Sequence, residues 1–103
     1  MKCFLITYTR KNGSEADWHR EVRRFIDALD ADPVVGGRIA YRCMKARDGA
    51  GYYHLAVPAD DQAAADLAKR DFFVRYTAAL DAICGDAAEV VPLDVVAESR
   101  HRA

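Results

Sequence analysis

RIAYRCMKARDGAGYYHLAV, residues 38–57, decides the topology. Asp48-Gly49-Ala50-Gly51 is a hairpin-type connection, so Arg38 to Ala46 and Tyr52 to Val57 read as two antiparallel strands. Pro58 stops the second of them. Upstream, Trp18, Val22, Phe25, Ile26 and Leu29 share a stripe that only a helix produces. Ser14 is placed to cap this helix, with Asp17 as the carboxylate that reaches back. Asp32-Pro33 ends it, because proline disfavours the α region for the residue before it.

Downstream the pattern repeats. Asp60 or Asp61 can cap an alanine-rich helix that runs to Lys69. A second piece carrying Phe72, Phe73, Tyr76, Leu80 and Ile83 continues to Cys84, with Gly85 in the position of a C-terminal cap. Asp71 can cap this piece separately, which predicts a break near Arg70. Outermost lie a β-branched and aromatic strand over residues 2–9 and a last strand from Glu89 to Ala97. The order β-α-β-β-α-β is the α+β, ferredoxin-like arrangement. It predicts a four-stranded antiparallel sheet with two helices on one face. Right-handed crossovers give the strand order 4-1-3-2. Pro92 then lies in an edge strand, where proline is tolerated. Residues 1–97 read as a single domain and 98–103 as a frayed polar tail.

Composition narrows the class. Fifteen Lys and Arg against sixteen Asp and Glu leave a net charge of −1 over 103 residues. That balance argues against a general binder of nucleic acid or anionic membrane. With 51% hydrophobic and 30% charged residues the chain reads as globular rather than disordered. No apolar run spans a bilayer, and Met1 to Ile6 is not a signal peptide. Cys3, Cys43 and Cys84 lie far apart without metal-ligand spacing. An odd count with no secretion signal reads as reduced thiols in the cytoplasm.

Two helices cover one sheet face, yet neither face is polar. Tyr53, Leu55 and Val57 form the greasier set of the third strand and are expected under the helices, with Tyr52, His54 and Ala56 opposite. On that reading Phe4, Ile6 and Tyr8 are left uncovered as an apolar patch. Burying ~400 Å² of apolar surface is a gross ~10 kcal/mol. The expectation is a homodimer joined sheet to sheet through Phe4, Ile6 and Tyr8.

The stretch from Gly37 to Leu80 resembles the dimeric α/β-barrel superfamily. Its members include the antibiotic-biosynthesis-monooxygenase-like and stress-responsive barrel domains. Ile39-Ala40-Tyr41, Tyr52-Tyr53-His54-Leu55, the acidic turn Asp60-Asp61 and Asp71-Phe72-Phe73-Val74-Arg75-Tyr76 carry the likeness. The resemblance implies a small-molecule-binding barrel, with cofactor-independent monooxygenation or isomerisation of a phenolic or quinol-type aromatic as its activity. A non-catalytic ligand-binding or stress-associated barrel is the alternative. Haem-degrading relatives place Asn, Trp and an axial His where this chain has Thr7, Leu67 and Thr77, so haem is not implied. Neither a cofactor nor a metal is expected.

His54 is the candidate catalytic base, since an ordinary imidazole titrates near neutrality. A hydrogen-bonded histidine at the dimer interface is the competing role. Tyr41, Tyr52 and Tyr76 are candidate lining for an apolar pocket with polar tips, although half-buried tyrosines also pack without function. Arg42 is a candidate anchor for an anionic ligand, or simply a solvated edge-strand residue. Cys43 and Cys84 read as small buried hydrophobes with no histidine beside them, His19 as surface and His101 as tail. A weaker alternative is an RNA-binding module in which Phe4, Tyr52 and His54 share the open face. The expected partners are a second copy of the chain and a small aromatic or apolar molecule.

Overall fold

A computed structural model describes residues 2–100. The elements follow in the order β1 (Lys2–Thr9), α1 (Glu15–Ala31), β2 (Ile39–Lys45), β3 (Gly51–Pro58), α2 (Asp61–Ala68), α3 (Asp71–Cys84) and β4 (Glu89–Asp94). All strand pairs are antiparallel, in the order β2-β3-β1-β4. This is the expected ferredoxin-like sheet, and the second helical region is broken at Lys69–Arg70 as its sequence implied.

Local chemistry sets the ends. The Ser14 hydroxyl accepts from the Asp17 amide at 3.1 Å and starts α1. The reciprocal arm expected from Asp17 is not made, because its carboxylate takes Arg20 at 2.8 Å instead. After α1 the chain folds back through Asp32, whose carboxylate accepts the amides of Val34 and Val35. Gly36 passes so close to the end of α1 that a Cβ there would meet the Asp30 carbonyl oxygen at 2.8 Å. Asp60 caps α2 through the Ala63 amide at 2.7 Å. Asp71 is not the cap of α3: that position is held by Arg70, which makes no side-chain capping bond. Gly85, at φ +74°, ends α3. β4 stops at Asp94 rather than Ala97, its last pairing being with Lys2 of β1. Residues 95–100 form no helix or strand, and the rest of the expected tail lies outside the described residues.

The expected assignment of faces is overturned. Register places Phe4, Ile6 and Tyr8 beside Ala56, His54 and Tyr52, and this is the face under the helices. Tyr52 and His54 are fully buried, whereas Tyr53 is 45% exposed. The physical reason is that each polar tip on this face finds a partner on a helix. Trp18 of α1 donates to the Tyr8 hydroxyl, His19 of α1 meets the Tyr52 hydroxyl, and Tyr76 of α3 meets His54. Polarity therefore did not mark the outer face. The uncovered face carries Leu5, Thr7, Arg42, Met44, Tyr53, Leu55, Val57, Val91 and Leu93. A dimer through Phe4, Ile6 and Tyr8 is excluded, since α1 and α3 already occupy that surface.

Candidate active site

His54 sits in the middle of β3, opposite Ile6 of β1 and Cys43 of β2. Its side chain points at the helices and is closed off from solvent. Nδ1 lies 2.8 Å from the Tyr41 hydroxyl and 2.9 Å from the Tyr76 hydroxyl, and the two hydroxyls are 3.2 Å apart. Nε2 lies 2.7 Å from the Tyr8 hydroxyl and 2.8 Å from Cys43 Sγ. Trp18 Nε1 donates to the same Tyr8 oxygen at 2.8 Å, so Tyr8 is held from both sides. Tyr76 is fixed by stacking: its ring lies parallel to Phe25 and Trp18 of α1, with centroids 4.0 Å and 5.9 Å away.

No carboxylate, lysine or arginine takes part in this cluster, and that determines its charge. Burial lowers the His54 pKa to about 4, so the imidazole is neutral at pH 7. Burial pushes the Tyr8, Tyr41 and Tyr76 hydroxyls above the ordinary phenol range, reinforced at Tyr76 by its neighbour Tyr41. The Cys43 thiol is pushed up to about 11 by the same cause. A neutral imidazole has one N–H donor and one bare nitrogen. With the proton on Nδ1, the ring donates to one tyrosine, and the Tyr41–Tyr76 pair keeps a hydroxyl proton free to give. With the proton on Nε2, the pair gives a proton to Nδ1 and keeps lone pairs free to accept. The cluster can therefore meet either an oxygen anion or a hydroxyl group.

A cavity of about 360 Å³ opens beside it, between the sheet, α2 and α3. Phe4, Ile6, Ile39, Leu67, Phe73 and Leu80 give it apolar walls, and Ala56, Ala64 and Ala88 make room by being small. Tyr41 and Tyr76 are its polar lining on the His54 side, with Thr77 and Asp81 elsewhere on the wall. His54 itself does not line it. A second cavity of about 230 Å³ lies between α1 and the β2–β3 hairpin, lined by His19, Val22, Arg23, Cys43, Met44, Lys45 and Tyr52. The Tyr52 hydroxyl is 2.7 Å from His19 Nε2. Among the described residues no group of three His, Cys, Asp or Glu side chains is gathered that could hold a metal ion.

Of the candidates read from sequence, His54, Tyr41 and Tyr76 come together in one cluster. Tyr52 stands apart at the second cavity, joined to the cluster through its stack on Tyr8. Arg42 is exposed on the opposite face of the sheet, away from both cavities. His19 is half-buried rather than surface, and Cys43 does have a histidine beside it. His101 lies outside the described residues. The Phe4, Tyr52 and His54 face that an RNA-binding reading requires is covered by helices. Tyr8, Trp18 and Cys43 were not recognised as parts of the site. One signal for Cys43 was available: pairing outward from the centre of the hairpin turn sets it directly opposite His54.

No family model matches the sequence, and no curated protein does. Solved structures match well. SnoaB, a cofactor-independent oxygenase from Streptomyces nogalater, in its N63A mutant, superposes with a TM-score of 0.78 at 18% identity, covering 97% of each chain. A protein described as an antibiotic biosynthesis monooxygenase has a TM-score of 0.76 at 16% identity, covering 94% of this chain and all of the other. A dimeric ferredoxin-like protein of unknown function from Jannaschia sp. CCS1 has a TM-score of 0.70 at 24% identity, covering 92% of this chain and all of the other. Likeness at these identities is a likeness of fold: the chain has the ferredoxin-like fold of the antibiotic-biosynthesis-monooxygenase-like proteins.

Proposed function

We propose that the protein binds a small, largely apolar aromatic bearing a hydroxyl group in the larger cavity and oxidises it with dioxygen, without a cofactor. The observation that carries this reading is the pairing of apolar walls with the Tyr41–Tyr76 hydroxyls, backed by neutral His54. Small-molecule sites have this make-up: apolar lining with a few convergent polar groups. Tyr41 and Tyr76 contact the ligand hydroxyl, and His54 acts one step behind them as the group that sets which way their protons point. A phenol or quinol that loses its proton there becomes an electron-rich anion able to reduce dioxygen. One oxygen atom enters the ring and the other leaves as water with two hydrogens from the substrate. SnoaB, of the same fold, is described as a cofactor-independent oxygenase, which favours this chemistry over others of similar polarity.

The working unit in this reading is a homodimer joined through the uncovered sheet face, around Leu5, Tyr53, Leu55 and Leu93. Met44, Tyr53 and Leu93 are each at least 40% exposed there, an unusual set for a face left to water. The Jannaschia protein of the same fold is described as dimeric. The three cysteines are unpaired, which suits the reducing cytoplasm.

A panel of quinols, phenols and anthrones tests the reading by thermal shift and oxygen uptake. Binding with oxygen uptake, both lost when Ala64→Phe fills the cavity, is the expected result. Binding without uptake assigns a ligand-binding protein instead, and neither binding nor uptake ends the proposal.

A further inference from the structure

We propose that His54 links the two cavities as a proton relay, with Cys43 as its outlet into the second. The inference rests on the reading of the first cavity as the place where a hydroxyl group is deprotonated. It adds where the proton goes. The structure presents one buried ring with each nitrogen facing a different cavity's lining. Nδ1 faces Tyr41 and Tyr76, which line the first. Nε2 faces Cys43 Sγ, which lines the second, and the Tyr8 hydroxyl, which Trp18 fixes in place.

The step moves one proton. Begin with the ring proton on Nε2 and a ligand hydroxyl against Tyr41 or Tyr76. The ligand O–H bond breaks and its proton goes to the tyrosine oxygen as that tyrosine's own proton passes to Nδ1. The Nε2–H bond breaks in turn and its proton goes to Cys43 Sγ as the thiol proton passes to water in the second cavity. The tyrosine and the thiol are restored, the ring ends as the other neutral tautomer, and no electrons change hands. Return of a proton to the bound product or to reduced oxygen runs the same path backwards and resets the ring.

Two features favour a relay over storage of the proton on His54. Burial holds the imidazole neutral, so a mechanism that builds imidazolium works against the fold, whereas tautomer exchange never creates the charge. The cluster also lacks any carboxylate that would stabilise imidazolium, since its members from β1, β2, α1 and α3 are Tyr8, Tyr41, Cys43, Trp18 and Tyr76.

The test needs no substrate. In full-length, uniformly 15N-labelled protein, exchange of the His54 ring proton with water is compared with exchange of the Ile6 and Leu55 backbone amides. Those amides report opening of the sheet. Filling the first cavity with Ala64→Phe, or with Ala88→Leu if that variant does not fold, closes the route through Tyr41 and Tyr76. In the parent the ring proton is expected to exchange at least about tenfold faster than the amides, and closing that end is expected to slow it to the amide rate, because the ring takes up a proton at Nδ1 as it gives one up at Nε2. Cys43→Val in the parent, which removes the sulfur without opening space and so closes the other end, is expected to slow it likewise, and Cys43→Ser to keep it fast. A ring proton that exchanges no faster than the amides, or one indifferent to Cys43→Val, overturns the relay. Loss of the oxygenase reading shows instead as absent oxygen uptake, with the exchange result unaffected.

Discussion

The ring of Tyr76 lies on the ring of Phe25 with centroids 4.0 Å apart and planes 9° from parallel, one helix thereby setting the position of a hydroxyl on another. Phe25 is buried on α1 and also meets Tyr41 edge-on at 4.9 Å. Both hydroxyls that reach Nδ1 of His54 therefore rest on one phenylalanine. Phe25→Ala is expected to cost about 3–5 kcal/mol, the range for a deleted buried aromatic. It should also weaken ligand binding, because both rings lose their support. Urea unfolding and a ligand titration on the same variant check the two effects together.

The depressed pKa of His54 makes a stability prediction with a definite sign. In the folded protein the imidazole titrates at about 4, below the usual value of 6.5 that the unfolded chain retains. Above pH 6.5 neither state binds the proton, and stability from this source is flat. Between pH 6.5 and 4 the unfolded chain takes up a proton that the buried ring refuses, so stability falls as pH falls. The loss is roughly 3 kcal/mol by pH 4. Denaturant unfolding across this window should show a steeper slope in the parent than in His54→Gln, which keeps a donor and an acceptor but does not titrate, the remaining slope coming from carboxylates such as Asp32 and Asp66 whose pKa values are lowered in the fold. Equal slopes in the two proteins contradict a buried neutral His54.

Charge placed on the two faces of β1 should have opposite consequences. Leu5 is on the uncovered face and Ile6 under the helices, at the cavity wall. Leu5→Asp is expected to shift the protein to monomer with its fold intact, by sedimentation and circular dichroism. Ile6→Asp is expected to lower stability instead, because an unpaired carboxylate is forced against apolar walls. A Leu5→Asp protein that sediments like the parent removes the proposed dimer face.

These paired substitutions also mark where the sequence was legible and where it was not. The β-α-β-β-α-β order, the break near Arg70 and the edge position of Pro92 follow from local signals: helical stripes, caps, a hairpin turn and proline rules. Which face of the sheet lies under the helices does not, because it depends on partners far apart in the chain. Tyr8, Tyr52 and His54 look like outer-face residues until Trp18, His19 and Tyr76 are brought to their polar atoms. Residue type together with a predicted element points to His54, Tyr41 and Tyr76, and it points equally to Arg42, which lies on the opposite face. Cys43 has no histidine near it along the chain, yet the hairpin register sets it opposite His54.

The Tyr41 and Tyr76 hydroxyls are redundant for the fold and separable from it in function. Each reaches Nδ1 of His54, at 2.8 Å and 2.9 Å, so removing one leaves the buried nitrogen with the other. Tyr41→Phe and Tyr76→Phe are each expected to cost only about 1 kcal/mol. The double substitution leaves Nδ1 with neither partner, and should cost about 1–3 kcal/mol beyond the sum of the singles. Oxygen uptake should behave differently, because the ligand hydroxyl needs the pair in a defined proton order. Either single substitution is then expected to lower turnover about a hundredfold, as for a lost proton-transfer partner, while the double adds little more. Unfolding free energies and turnover measured on the same four proteins separate the two patterns. Strictly additive stability losses would mean that the hydroxyls do not share Nδ1, and single variants with unchanged turnover would remove the tyrosine pair from the chemistry.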